Sequence, residues 1–384
     1  MPKLSATMWL TFFFATFFFI WGIFIPFWGI WLTHKGMSAE DIGLLFSVAL
    51  VLRFVSTLML PPLISTGSAT IRIVQVLGAL TLISLAVLFY FNDHFWLALI
   101  TLALNFLLAP LIALGDIIGM RLVNQIKLDY GKVRLWGSLA FIAGSTFVGW
   151  MITQYGNEMI YWVLTAMVAS MLFVTLFKFA PTLKDMPATG NDRKTPLMTL
   201  LKDRNVQLFL LVVGIIQASH GAYYAFSSIY WVSQGISGFT VSILWAIAVA
   251  AEILAMRFNT RLFSRWSIKQ MILLGLCATI LRWGLLSFAE NIYLLGLSQA
   301  LHAFTFAVTH LAAIRYIGQQ KHNNLISFQS LYTGISMGLM MAIFTYIAGV
   351  LYAPLQANLF LVMAAMVLPA FWLLHKWNTE AKVA

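Results

Sequence analysis

The stretch MWLTFFFATFFFIWGIFIPFWGIWL, residues 8–32, decides what kind of fold this chain adopts. It holds no charged residue, and it is longer than the about 20 apolar residues that an α-helix needs to cross the hydrocarbon layer of a membrane. The run is too long for the apolar part of a signal peptide, and no A-x-A-like cleavage site follows it. We therefore expect a membrane-spanning helix that is retained in the protein.

The composition of the whole chain agrees with a protein that is embedded in lipid. Hydrophobic residues make up 61% of the 384 residues and charged residues only 9%, whereas about 25% charged residues is usual for a soluble domain. A soluble fold of this length would need more polar surface than the chain offers. The single cysteine, Cys277, leaves no basis for a disulfide framework or a thiol metal site.

Apolar runs recur along the chain, and a polar stretch, PTLKDMPATGNDRKTPLMTLLKDR at residues 181–204, divides them into two sets of six. We predict an all-α membrane protein with twelve transmembrane helices in two six-helix halves, residues 1–180 and 205–384, joined by a linker at 181–204. The predicted spans cover residues 8–33, 40–64, 70–91, 95–123, 133–154, 159–180, 206–233, 239–262, 268–288, 292–317, 325–351 and 356–375.

The positions of the basic residues predict how the chain is oriented. If both termini are cytoplasmic, twenty of the Lys and Arg residues fall at inner loops, inner helix ends or the linker, and only Lys35 falls in an outer loop. Cytoplasmic loops of membrane proteins carry such an excess. The net charge of +11 is therefore interpreted as a topology signal, with both termini inside, and not as a nucleic-acid-binding patch.

Four charged residues lie inside the apolar runs, away from the ends of the predicted spans: Arg53, Asp116, Glu252 and Arg282. A charge at bilayer depth costs at least about 2.5–3.5 kcal/mol, so it normally faces a partner or a wet cavity. A weak internal repeat with a constant offset of 199 residues aligns Arg53 with Glu252 and Asp116 with Arg315. We expect these charges to exchange partners around a central cavity; the alternatives are that each only neutralises a neighbour and that Arg315 is an inner-edge anchor.

Histidines and aromatic residues inside the spans are further candidates. His302 shares a helical stripe with polar residues, and histidine suits proton exchange near neutrality. The alternative for a buried histidine is a single hydrogen bond to the backbone, and no spacing predicts a metal site. Substrate-lining candidates on other helices are His220, Tyr224, Trp21 and Trp245.

The assembled residues resemble the major facilitator superfamily, in particular the lactose permease-like proton symporters and their phenylpropionic acid transporter branch. The resemblance spans nearly the whole chain. Its most specific parts are LDYGKVRLWGS at Leu128–Ser138, the trio Glu252, Arg282 and His302, and HLAAIRYIG at His310–Gly318.

The resemblance implies roles for individual residues. Asp116 and Arg134 match in type the acidic residue and arginine that hold the sugar in the lactose permease, and Glu252, Arg282 and His302 match its coupling trio. Two departures argue against a sugar. Thr305 stands where the permease has its proton-carrying glutamate, and the Gly/Asp/Arg-rich loop between helices two and three is nearly absent from PPLISTGSATIR, residues 61–72.

The branch implies uptake of a small aromatic carboxylate such as 3-phenylpropionate, coupled to protons, across the bacterial inner membrane. Glu252 would carry the proton with help from His302, while Arg53, Arg134 or Arg282 would hold the carboxylate. We expect a monomer that needs no cofactor and whose partners are the substrate, the proton and the lipid bilayer. The alternatives are an oligosaccharide, nucleoside or drug as substrate, and, from other classes, a channel or an intramembrane enzyme, for which no catalytic motif is present.

The predicted orientation can be tested with single cysteines in a Cys277→Ser background. A cysteine at Asn157 should react with a membrane-impermeant maleimide in intact cells, because its loop is predicted to be outside. A cysteine at Lys127 should react only after permeabilisation. The opposite labelling pattern would contradict the orientation.

Overall fold

The computed structural model describes residues 4–60, 66–183, 195–288 and 291–380, and twelve helices in these ranges are long and apolar enough to cross a membrane. The predicted number of twelve spans is confirmed, and the bounds of the helices differ from the predicted bounds by a few residues. They are α1 (Ala6–His34), α2 (Ala39–Met59), α3 (Gly67–Tyr90), α4 (His94–Ile126), α5 (Tyr130–Tyr155), α6 (Met159–Leu176), α7 (Arg204–Ser233), α8 (Gly238–Arg257), α9 (Ile268–Ser287), α10 (Ile292–Gly318), α11 (Asn324–Leu355) and α12 (Asn358–Lys376).

Polar side chains between the apolar runs define where the helices begin. Ser5, Asp93 and Asp203 each accept hydrogen bonds from backbone N–H groups of the first turn of the helix that follows. Ser267 and Gln270 form a reciprocal capping box at the start of α9. These bonds satisfy amides that have no partner inside their helix.

Two short strands precede and follow the first six helices. Leu4–Ser5 (β1) pairs in parallel with Phe179–Ala180 (β2), just after α6. A single-turn helix, Leu197–Leu201, lies before α7. The predicted linker residues Lys184, Asp185, Asp192, Arg193 and Lys194 lie outside the described residues.

The end of the eighth span differs from the prediction, which placed it at residue 262. Helix α8 ends at Arg257, and a separate single-turn helix, Asn259–Phe263, follows. The Arg315 guanidinium from α10 donates to the carbonyls of Phe263 (3.2 Å) and Trp266 (2.8 Å) just after this turn. These contacts hold the end of the single-turn helix against α10 and favour the interpretation of Arg315 as an anchor.

The chain forms two compact units. One contains the first six helices without Ala39–Ser47 and includes Ile236–Ser242 from the start of α8. The other contains the last six helices without Ile236–Ser242, and it includes Ala39–Ser47 from the start of α2. The sequence patterns give no sign of these exchanged helix ends, and the three-part division at residues 180 and 204 stays a prediction.

Three helices in the second unit depart from regular α geometry. Helix α7 is interrupted at Ser219, so that Arg204–Ala218 and His220–Ser233 are separate segments. Helix α10 widens into a π-helix over Ala303–Val308, and α11 does so over Tyr332–Leu339. π-Helical turns frequently occur at functional sites, and the first one follows His302 directly.

Lys35, the basic residue predicted to lie outside, is paired. Its Nζ atom is 2.6 Å from Oε1 of Glu158, and the indole of Trp31 donates to Oε2 of the same carboxylate (3.3 Å). Burial alone would raise the pKa of Glu158, but these hydrogen bonds outweigh it and hold the pKa below its usual value.

Candidate functional site

Arg282 lies at the centre of a buried polar cluster in the second unit. The side chain comes from α9 and is fully buried. Its guanidinium carbon lies 4.4 Å from the centre of the Tyr223 ring and 4.7 Å from that of the neighbouring Trp283. Contacts with aromatic faces stabilise a cation that has been removed from water.

One end of the guanidinium binds two residues of α10. Nη1 is 2.8 Å from Nδ1 of His302 and 3.1 Å from Oγ1 of Thr305. Arginine only donates hydrogen bonds, so Nδ1 of His302 must accept and carries no proton. The neutral ring then has its proton on Nε2, which faces Oε2 of Glu252 at 3.8 Å.

His220 joins the cluster through Thr305. Its Nδ1 is 3.1 Å from the backbone oxygens of both Ile216 and Gln217, which can only accept, so Nδ1 carries a proton. Its Nε2 is 3.0 Å from Oγ1 of Thr305. In the neutral ring Nε2 accepts, and the threonine hydroxyl donates to it while accepting from Arg282.

Aromatic residues surround this polar centre. The Tyr223 hydroxyl donates to Oε1 of Gln299 (2.7 Å), and the Tyr223 ring packs on Trp245 with 4.8 Å between ring centres. Tyr224 stacks on His220 and on Trp245. The Trp245 indole donates to Oγ of Ser228 (2.9 Å), which fixes this wall.

The second edge of the Arg282 guanidinium is different. Nε and Nη2 are buried and have no hydrogen-bond partner among the residues that the structure describes. The Nε–H bond and one N–H bond of Nη2 lie in the guanidinium plane and point in the same direction along one edge. The arrangement is the fork with which arginine binds a carboxylate through two parallel hydrogen bonds.

In the first unit, Arg53 has neutral partners. Its Nε donates to Oδ1 of Asn105 at 2.5 Å, and its guanidinium carbon lies 4.4 Å from the centre of the Trp21 ring. Asn105 is held by its own bond to the Thr101 carbonyl (2.7 Å). Arg53 and Glu252 belong to different units, so their predicted exchange of partners stays a prediction.

Asp116 and Arg134 also belong to the first unit. Asp116 accepts from the Tyr130 hydroxyl at 2.5 Å, and Arg134 lies over the rings of Phe14 and Phe18. Within the described part of the chain, no ion pair joins Asp116 to Arg134. Tyr130 is therefore the hydrogen-bond partner of Asp116, and the substrate-binding roles implied for Asp116 and Arg134 stay predictions.

A family model described as the MFS_1-like family matches residues 7–363 of the chain. The chain belongs to this family of major facilitator transporters. The predicted family and the twelve-helix fold are confirmed. The relatives and structural neighbours are transporters, so this multi-pass membrane protein is a transporter and not an enzyme.

Two curated relatives of the transporter come from Escherichia coli (strain K12). The protein named "Probable 3-phenylpropionic acid transporter" is 39% identical over 375 residues, which cover 97% of this chain and 98% of that one. The protein named "Putative nucleoside transporter YegT" is 27% identical, with 79% and 74% covered.

The transporter also resembles solved structures of the nucleoside transporter NupG. One of them superposes with a TM-score of 0.79 at 17% sequence identity, covering 98% of this chain and 100% of that chain. This likeness establishes the shared fold alone.

The structure brings most of the predicted C-terminal candidates together: Glu252, Arg282, His302, His220, Tyr224 and Trp245 all border one cluster. Sequence reasoning missed Tyr223 and Ser219, although Tyr223 lies one helical turn after His220 and this spacing could have indicated it. Where the transporter's chain is described, no group of three or more His, Cys, Asp or Glu residues has the arrangement of a metal site.

The hydrogen-bond partners predict that the two neutral histidines are opposite tautomers. His302 should carry its proton on Nε2 and His220 on Nδ1. Magic-angle-spinning NMR of histidine-labelled transporter in liposomes at alkaline pH separates these tautomers by their ring nitrogen shifts, with His302→Asn and His220→Asn variants for assignment. Finding the same tautomer at both positions would contradict the assigned network.

Proposed function

We propose that the transporter imports a small aromatic carboxylate of the 3-phenylpropionate type together with a proton, across the bacterial inner membrane. The observation that carries this proposal is the buried Nε and Nη2 edge of Arg282. The 39% identical relative, whose printed name contains 3-phenylpropionic acid, supports the same substrate class.

A carboxylate supplies the hydrogen-bond acceptors that the Nε and Nη2 edge of Arg282 lacks. A buried donor without a partner costs about 1–3 kcal/mol, and more when the group is charged. A substrate carboxylate would supply two acceptor oxygens in the plane of the guanidinium and would neutralise its charge. A neutral sugar offers no such complement, which agrees with the departures from the lactose permease pattern at Thr305.

The surrounding wall suits the rest of the substrate. Tyr223 and Trp283 lie against the Arg282 guanidinium, and Trp245 and Tyr224 pack next to Tyr223. A phenyl ring can pack on such faces with offset or edge-to-face geometry, worth about 0.5–1.5 kcal/mol for each pair beyond burial. A carboxylate separated from a phenyl ring by a short chain fits this combination of fork and aromatic wall.

His302 provides a route for coupling the substrate to a proton on Glu252. Donation from the Arg282 cation polarises the imidazole, so its Nε2–H stabilises the nearby Glu252 carboxylate. When the substrate neutralises Arg282, this stabilisation weakens and Glu252 accepts a proton more readily. Binding of the anion and of the proton therefore favour each other, as linkage requires.

His302 itself is a less suitable carrier in this arrangement. A proton on its Nδ1 would place two donors against each other, because Arg282 Nη1 lies 2.8 Å away and cannot accept. We therefore assign the carried proton to Glu252. His302 has another role, since it transmits to Glu252 whether the charge of Arg282 is neutralised by substrate. Alternating access of the two six-helix halves, with both termini inside, completes the proposed cycle.

A nucleoside is the second candidate substrate, favoured by the name of the 27% identical relative, a putative nucleoside transporter. A nucleoside also stacks on aromatic rings, but it carries no carboxylate for the Arg282 edge. The charge of the substrate therefore distinguishes the two candidates.

Uptake by purified transporter in proteoliposomes should require the carboxylate. Labelled 3-phenylpropionate should enter, and excess unlabelled 3-phenylpropionate should compete, whereas its amide and uridine should not. Arg282→Lys keeps the charge but loses the fork, so the apparent affinity should fall by at least about tenfold. Arg257→Lys, at an exposed arginine, is the control; uridine uptake without 3-phenylpropionate uptake would replace the proposal by the nucleoside alternative.

Glu252→Gln should separate exchange from accumulation. Equilibrium exchange of labelled substrate needs no net proton release, so it should continue at a rate within about threefold of the wild type. Accumulation driven by an imposed pH gradient should be lost, because the amide cannot release a proton. Glu40→Gln, at an exposed carboxylate, is the control, and wild-type accumulation by Glu252→Gln would refute the assignment.

A further inference from the structure

Thr305 occupies the position at which the polar cluster meets the break in α7. Its single hydroxyl lies 3.1 Å from Nη1 of Arg282 on α9 and 3.0 Å from Nε2 of His220 on α7. A longer contact of 3.4 Å leads to the backbone oxygen of His302. Thr305 is fully buried and lies inside the π-helical segment of α10.

The break in α7 depends on the same contacts. His220 donates to the carbonyls of Ile216 and Gln217, which lie at the end of the first α7 segment, where a helix leaves its carbonyls without intrahelical partners. The Gln217 amide donates to the Phe306 carbonyl in the π-helical segment (3.3 Å), and the Trp283 indole donates to Ser219 (3.0 Å). The break is thus tied to both α9 and α10.

We propose that Thr305 is a positioning residue that couples the occupancy of Arg282 to the break in α7. The proposal rests on the proposed function, because the ligand that draws on Arg282 is the substrate carboxylate. With Arg282 free of substrate, the hydroxyl accepts from Nη1 and donates to His220, so the two α7 segments are held at the break by one continuous series of hydrogen bonds.

Substrate binding changes this series of hydrogen bonds at the bond from Arg282 Nη1 to the Thr305 hydroxyl. A carboxylate on the Nε and Nη2 edge lies on the side of the guanidinium away from Thr305 and draws the side chain toward itself. As the bond from Nη1 lengthens, the hydroxyl can turn to the His302 carbonyl and release Nε2 of His220. The second α7 segment then becomes free to move, and small displacements of this kind are amplified because packed helices have discrete arrangements.

The hydrogen-bonded link from Arg282 through Thr305 to His220 would prevent proton transport without substrate. A symporter that has bound a proton but no substrate must not switch sides, since each such switch carries a proton without substrate. The intact link from Arg282 to His220 holds α7 in that state. When Glu252 is ionised, it strengthens the bond from Arg282 to His302 at the expense of the bond to Thr305, so the empty transporter is released and can return. A variant without the Thr305 hydroxyl should therefore leak protons, although it keeps all the groups that bind substrate and proton.

The test compares Thr305→Val, which keeps the shape but loses the hydroxyl, with Thr305→Ser, which keeps the hydroxyl. Thr279→Val is the matched control, since the buried Thr279 on α9 donates only to the Gly275 carbonyl of its own helix (2.7 Å). Each full-length variant is reconstituted in proteoliposomes. Three rates are measured: substrate-independent proton flux with a trapped pH dye, exchange of labelled 3-phenylpropionate, and its accumulation under an imposed pH gradient.

Thr305→Val should raise the substrate-free proton flux by at least about tenfold and lower accumulation by a similar factor, while exchange stays within about threefold of the wild type. Thr305→Ser and Thr279→Val should match the wild type. The proposal is overturned if Thr305→Val is as proton-tight as the wild type, if exchange and accumulation fall together without a leak, or if Thr305→Ser leaks equally. If the wild type does not exchange 3-phenylpropionate, the proposed function fails, and the proton flux of the three variants still decides the role of Thr305.

Discussion

A polar group in the hydrocarbon layer of a membrane has no water to bind, so it must be satisfied by the protein or by what the protein carries. The buried guanidinium of Arg282 imposes this constraint most strongly on the second unit. Its five N–H bonds call for acceptors, and the ring nitrogen of His302 and the hydroxyl of Thr305 are placed at one end to provide them. The tautomer of His302 and the orientation of the Thr305 hydroxyl follow from where that guanidinium points, and the rings of Tyr223 and Trp283 cover it.

Sequence reasoning could locate the charged members of this cluster because a charge in an apolar run is costly and therefore conspicuous. Glu252, Arg282 and His302 come from three helices, and the resemblance supplied the expectation that they act together. The twelve spans were predictable for a similar reason, since hydrocarbon thickness sets their length. The separate turn after α8 was not predictable, because it depends on Arg315 reaching carbonyls that are about fifty residues away.

The neutral members of the cluster carried a weaker signal. A threonine, tyrosine or glutamine is common in membrane helices, so Tyr223 did not stand out from neighbouring Tyr224. The π-helical segment after His302 also changes which residues of α10 share a face, and a regular helical stripe cannot anticipate that change. The sequence marks Thr305 as a polar residue on the helical stripe of His302 and as the place where an expected glutamate is missing. In the structure, Thr305 links two helices, since its hydroxyl contacts both Arg282 and His220.

The two units satisfy their intramembrane charges in different ways, and this difference bears on which arginine binds the substrate. Arg53 donates to Asn105 and covers Trp21, while Asp116 accepts from Tyr130, so each of these charges has a neutral partner within its own unit. Arg282 is more deeply buried, and its partners occupy only one end of the guanidinium. A guanidinium that is bonded at one end and presents two buried donors at the other is preorganised for an anion. This difference supports the proposal that Arg282, and not an arginine of the first unit, binds the substrate carboxylate.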